Sequence, residues 1–208
     1  ILASCRKIIA LHHSVNDGKW DFAIGGIVHR VRDLTVGLLS FGRIAVRVAE
    51  KLRGFGCRMM TFDPFIDPKV AHDSGVEPVD FGTLIATADV VSIHSPLTPD
   101  TRHMIGYKEL KLMKDTAFVI NTSRGAVVEQ AALETALDEG LIAGAGLDVL
   151  EHEPLTSDSH LIGRTNVILT PHTAFYSIRS LRELQIRTAR NVAMVLRGEM
   201  PESVVNRA

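Results

Sequence analysis

Three polar side chains stand just past three apolar runs, and their chemistry is complementary. Arg124 lies in Asn121-Thr-Ser-Arg-Gly125, Glu153 in Asp148-Val-Leu-Glu-His-Glu-Pro154, and His172 in Thr170-Pro-His-Thr-Ala174. A guanidinium grips a carboxylate and a neighbouring carbonyl in fork geometry. An imidazole titrates near neutrality, and a carboxylate on its other ring N–H raises its pKa. The set could hold a small oxo-acid and move a proton to or from it. Singly, each has a plainer reading: a surface ion pair, a strand end and a turn before a helix. Their shared position after successive apolar runs gives the functional reading its weight.

A second group lies upstream in Gly37-Leu-Leu-Ser-Phe-Gly42-Arg-Ile-Ala45, where an apolar run passes into a helical pattern. A helix start offers unpaired N–H groups and a positive dipole end, so a pyrophosphate can be held there if a glycine permits close approach. Gly42 is placed to permit it. The dinucleotide fingerprint G-x-G-x-x-G/A accepts Ala45 but wants glycine where Ser40 stands. If that turn needs positive φ, serine costs roughly 1 kcal/mol, and weaker NAD binding than with glycine is expected. Asp63 follows about twenty residues later, where a carboxylate can accept hydrogen bonds from a ribose diol. It is followed by Pro64-Phe65-Ile66, with no arginine for a 2′-phosphate, which favours NAD over NADP. The plainer reading is an Asp-Pro turn. A Walker A loop fits less well, because Arg43 and Ile44 stand where Lys and Ser/Thr are required.

The elements that must position these groups alternate. Apolar runs at 35–39, 58–62, 89–94, 117–121, 144–149 and 166–170 read as buried strands. Helical periodicity fills 43–53, 81–88, 107–113 and 129–139. Alternation of this kind predicts an α/β fold, a doubly wound parallel sheet covered on both faces. An amphipathic helix is expected over 178–196, stopped by Gly198 and Pro201. The opening segment reads as one helix to Asn16, with Ile1, Cys5, Ile8, His12 and Val15 on one face and no capping residue before it. The chain is therefore expected to be a piece of a longer protein. The boundaries read 1–34 as an interdomain or dimerisation helix and linker, 35–177 as the dinucleotide-binding domain, and 178–208 as a helix and tail returning toward a substrate domain that is largely missing.

Composition narrows the classes. The 208 residues carry 23 Lys+Arg against 24 Asp+Glu without blocks of like charge, which argues against nucleic acid or an anionic membrane as partner. No apolar run reaches the ~18 residues of a membrane span, and the first residues lack a signal-peptide pattern. Two cysteines, Cys5 and Cys57, suit a reducing cytoplasm. His12 and His13 are adjacent, and His103, His152 and His160 lack ligand spacing, so no metal is expected.

In order along nearly the whole chain, these motifs resemble the D-isomer-specific 2-hydroxyacid dehydrogenases. The resemblance rests on Val36-Gly-Leu-Leu-Ser-Phe-Gly-Arg-Ile44, Val91-Ser-Ile-His-Ser-Pro-Leu-Thr98 with Thr101, Ile120-Asn-Thr-Ser-Arg-Gly125, Gly146-Leu-Asp-Val149 with Glu153-Pro154, and Thr170-Pro-His172. It implies a Rossmann NAD-binding domain, NAD as cofactor, a small 2-keto or 2-hydroxy acid as substrate and a homodimer. It implies that Arg124 binds the substrate carboxylate and carbonyl, that His172 is the acid/base, and that Glu153 orients and charges the imidazole. Cofactor contacts are implied for Gly42, Arg43, Ile44, Asp63, His94, Pro96, Thr101, Thr122, Asp148 and Ala174. Arg43 and Ile44 would present main-chain N–H groups to the pyrophosphate, Asp63 would hold the adenosine ribose, and Asp148 would meet the nicotinamide amide. His172-Thr-Ala-Phe-Tyr-Ser177 is most similar to the branch with the C-terminal-binding protein corepressors, which have Trp where Phe175 stands. That keeps a second class open, an NAD-responsive interaction module with little turnover. A Rossmann-like methyltransferase has no use for the Arg124, Glu153 and His172 set.

Overall fold

A computed structural model describes residues 1–202 and residue 204. The chain divides into two compact units, Ile1–Pro171 and His172–Ala208. The end of the expected 178–208 segment lies outside the described residues.

The first unit is built on one sheet of seven strands in the order β3-β2-β1-β4-β5-β6-β7. The strands are β1 (Thr35–Leu39), β2 (Arg58–Phe62), β3 (Glu77–Pro78), β4 (Val90–Ile93), β5 (Phe118–Asn121), β6 (Gly144–Leu147) and β7 (Val167–Leu169). All six pairings are parallel, as the alternation of apolar runs and helices predicts. Helices α3 (Arg43–Leu52), α4 (Pro68–Asp73), α5 (Phe81–Thr87), α6 (Tyr107–Leu112) and α7 (Gln130–Asp138) fill the crossovers. Strand side chains alternate between two cores. Val36, Leu38, Met59 and Ile120 meet Ala45, Ala49 and Leu52 of α3. Leu39, Met60, Val91, Ile93 and Val119 meet Leu84, Leu110 and Leu133 of α5, α6 and α7. Both faces are thus covered, which is why the strand sequences are almost continuously apolar.

Three features depart from the sequence reading. Strand β3 is an edge strand of two residues ending in Pro78, too short for any periodicity, and Arg58 on β2 pairs with Glu77 at 2.7 Å. Helix α4 was also not expected. Its signal is Asp67-Pro68, where Asp67 accepts from the Lys69 N–H at 2.9 Å and proline occupies the first turn. The opening segment is two helices, α1 (Leu2–Cys5) and α2 (Ile8–Asn16), because Lys7 adopts a left-handed conformation at φ 52° between them. The Lys7 ammonium sits 5.0 Å from the centroid of the Phe118 ring. The expected single face therefore splits: Cys5 is buried in the sheet core, while Ile8 and Val15 remain about half exposed.

The second unit holds α8 (Ile178–Leu196). Ser177 Oγ caps it by accepting from the Ser180 N–H at 3.0 Å, and Gly198 ends it at φ 74°.

Candidate active site

Strand order reverses between β1 and β4, and the loops beyond their carboxyl ends form the crevice where ligands of open α/β sheets bind. After β1, Ser40 takes φ 68°, the conformation the fingerprint reserves for glycine. Its N–H donates to Phe62 O at 2.9 Å, and its hydroxyl lies 2.7 Å from that of Ser95 beyond β4. Gly42 is the N-cap of α3 with no side-chain cap, and a Cβ there would meet nothing within 4 Å. Arg43 and Ile44 open the helix at the surface. This uncapped helix start faces open space, so the residues fit a dinucleotide pyrophosphate.

Asp63 follows β2 directly and is half-buried. Its Oδ2 accepts from the Phe41 N–H at 2.8 Å and its Oδ1 from the Phe65 N–H at 2.9 Å. The carboxylate both ties the loop between β1 and α3 to β2 and makes the Asp-Pro turn. Each oxygen keeps a lone pair for a ribose hydroxyl. Beyond β4, the His94 N–H donates to Leu39 O at 2.8 Å, and its Nε2 lies 3.1 Å from Ser92 Oγ. Burial pushes the imidazole down to about 4, so it is neutral near pH 7. Pro96 is exposed, and its carbonyl accepts from Thr101 Oγ1 at 2.6 Å. The Thr101 hydroxyl in turn accepts from the Thr98 N–H at 2.8 Å, closing this loop on itself.

The Arg124 loop follows β5 and is braced by buried Asn121. Asn121 Oδ1 accepts from the Ser123 N–H and Asn121 Nδ2 donates to Arg124 O, both at 3.0 Å. Ser123 Oγ donates to Ser95 O, joining this loop to the one beyond β4. Thr122 and Arg124 point to the surface, and the Arg124 guanidinium donates to Ser123 O at 2.7 Å. Gly125 is wedged against the next loop, since a Cβ there would stand 1.8 Å from Leu150 O. The Leu150 N–H donates to Glu153 Oε1 at 2.9 Å. The structure therefore brings the Arg124 and Glu153 loops into direct contact. Asp148, buried at the end of β6, accepts from Thr170 Oγ1 at 2.6 Å.

His172 and Ala174 belong to the second unit. His172 takes φ 53°, and its ring lies edge-on to Phe175 with centroids 6.5 Å apart. Among the described residues, no three His, Cys, Asp or Glu side chains gather as metal ligands.

Sequence reasoning passed over three groups. Ser95 and Ser123 carry no spacing signal, since their partners are far away in the chain. Glu151, two residues before Glu153, is largely buried: its Oε1 accepts from His103 Nε2 at 2.6 Å and from Arg102 at 3.2 Å, and its Oε2 from the Gln130 N–H at 3.3 Å. Burial alone would raise its pKa, but the His103 and Gln130 hydrogen bonds and the two cationic neighbours bring it below the usual carboxylate value. A Glu-x-Glu segment does not show which carboxylate turns inward.

The family described as D-isomer specific 2-hydroxyacid dehydrogenase, NAD binding domain, matches residues 1–174. The chain is 40% identical to a glyoxylate reductase of Korarchaeum cryptofilum over 99% of its own length and 63% of that protein's. It is 38% identical to a D-3-phosphoglycerate dehydrogenase of Methanocaldococcus jannaschii, covering 99% of this chain and 39% of the relative. Among solved structures, it is similar to a D-lactate dehydrogenase with NAD+ from Lactobacillus jensenii, with a TM-score of 0.88 and 31% identity, covering 99% of this chain and 66% of that one. The chain thus spans less than two thirds of the length of these relatives.

Proposed function

The chain belongs to the D-isomer specific 2-hydroxyacid dehydrogenases through their NAD-binding domain, and on that premise we propose that the protein interconverts a small D-2-hydroxy acid and its 2-keto acid. The observation that carries this reading is the contact between the Arg124 and Glu153 loops, the first of which is linked through Ser123 and Ser95 to Ser40 in the loop that leads to the uncapped start of α3.

When bound, NAD supplies or accepts the hydride. The main-chain N–H groups of Arg43 and Ile44, admitted by Gly42, bind its pyrophosphate, and Asp63 accepts from the ribose hydroxyls. His94, Pro96, Thr101, Thr122 and Ala174 line the dinucleotide, and Asp148 orients the carboxamide. Arg124 holds the carboxylate and carbonyl of the keto acid in fork geometry and fixes the carbonyl carbon for reduction. His172 donates a proton to the carbonyl oxygen, and in the reverse direction takes it from the hydroxyl. Glu153 orients the imidazole and favours its charged form.

Residues 35–177 carry the cofactor, residues 178–208 lead toward the substrate-binding part, and residues 1–34 join two copies into a homodimer. In that first segment Trp20 and Phe22 are each 91% exposed and Ile27 71%, apolar surface that a second copy would cover. Two free, buried cysteines suit the cytoplasm. The corepressor-like alternative draws no support from the enzymes to which the chain is similar.

The test is a panel of small 2-keto acids with NADH, glyoxylate included, on the full-length protein. Turnover is expected, and His172→Ala should lower it about 100-fold or more. Tight NADH binding, nucleotide-dependent self-association and no turnover with any keto acid would instead favour the interaction module.

A further inference from the structure

Ser40 is where this chain departs from its family's phosphate loop, and the structure shows what the serine contacts. Its side chain turns toward Ser95, and the two hydroxyl oxygens lie 2.7 Å apart across the crevice between β1 and β4. Ser95 is fully buried. Its proton has two acceptors in reach, Ser40 Oγ at 2.7 Å and Leu39 O at 3.3 Å. Either hydroxyl can donate in the short contact; in the arrangement in which Ser95 donates to Ser40, only the stretched contact to Leu39 O is given up. Ser40 cannot then donate back along the same line. Among the described residues its hydroxyl has no acceptor besides Ser95, and Ser40 is only half-buried, at the mouth of the crevice.

We propose that Ser40 Oγ is a hydrogen-bond donor to the diphosphate of the bound dinucleotide, aimed by Ser95. The inference rests on the NAD-binding role of this domain and not on any turnover. It reverses the expectation drawn from the φ angle alone: the strained serine strengthens binding, because it brings to the anion a donor that glycine lacks. A phosphate oxygen is the acceptor such a donor suits, since hydrogen bonds to ionised acceptors are the strong ones. In the absence of an anion the hydrogen bond with Ser95 only offsets the conformational cost of the positive φ.

The experiment titrates NADH, ADP and adenosine into the parent chain, Ser40→Gly, Ser40→Ala, Ser95→Ala and the Ser40→Gly/Ser95→Ala double variant, and records each melting temperature without ligand. Ser40→Gly should melt no lower than the parent and yet bind NADH and ADP about 10-fold more weakly, with adenosine unchanged. Ser40→Ala should lose the same affinity. Ser95→Ala should weaken both diphosphates, and the double variant should bind no worse than Ser40→Gly, because the two hydroxyls act as one unit. Equal or tighter NADH binding by Ser40→Gly would overturn the proposal, as would a loss in Ser40→Ala that is as large for adenosine as for ADP. A parent chain that does not bind NADH would overturn the cofactor reading and this proposal together.

Discussion

Beyond β1 and β2, the groups offered to a ligand are main-chain N–H groups and a carboxylate already held by two others; beyond β5 and β6 they are long side chains at the surface. The first region is made by omission. At Gly42 a side chain is missing and space is left open. In the second, the missing side chain at Gly125 leaves no space, because Leu150 O fills it and locks two loops together. The same residue type thus serves approach by a ligand in one place and approach by the backbone in the other. A site that must fit an invariant dinucleotide can rely on the backbone, whereas one that grips a small anion needs a charge on a flexible stem.

The contrast is broken most directly at the arginine. Arg124→Ala is expected to lower kcat/KM for a keto acid about 1000-fold, the cost of leaving a bound carboxylate without its partner, with NADH affinity unchanged. Parallel loss of NADH binding would show that the two regions are not separable. The glycines sharpen it next. Gly125→Ala should destabilise the fold by about 3 kcal/mol in urea melts, since its Cβ would have to displace main chain. Gly42→Ala should cost about 1 kcal/mol or less and yet weaken NADH binding about 10-fold or more. Equal stability losses in the two variants would erase the distinction. A pH dependence is expected at His94. An unfolded imidazole takes up a proton near 6.5, whereas the folded one waits until about 4. Stability therefore falls as the pH drops through that window. His94→Gln should lose about 2 kcal/mol less than the parent between about pH 7 and about pH 5. Identical pH profiles would mean that His94 is not buried in the neutral form.

How much could be read without coordinates differs between these regions in the same way. The strand, turn and helix around Gly42 and Ala45 and the strand-ending Asp63 were legible because they belong to one βαβ unit, set by short spacings. The parallel sheet was legible because buried strands are continuously apolar. The Glu151–His103 pair and the Ser40–Ser95–Ser123 links were not, because each joins loops after different strands and leaves no local pattern. The break at Lys7 escaped because a left-handed lysine leaves helical periodicity intact on both sides. Helix α4 escaped for a different reason: its Asp67-Pro68 start was present in the sequence but was followed by too few residues to show a period.

The sequence by itself determined the α/β class and the alternation of the main strands and helices, since both follow from residue type and short-range periodicity. Only the tertiary structure decided that Ser40 takes the left-handed turn, that its hydroxyl meets Ser95, that Glu151 turns inward, and that Gly125 wedges one loop on another. These depend on which strands become neighbours, and neighbours in a parallel sheet lie far apart along the chain.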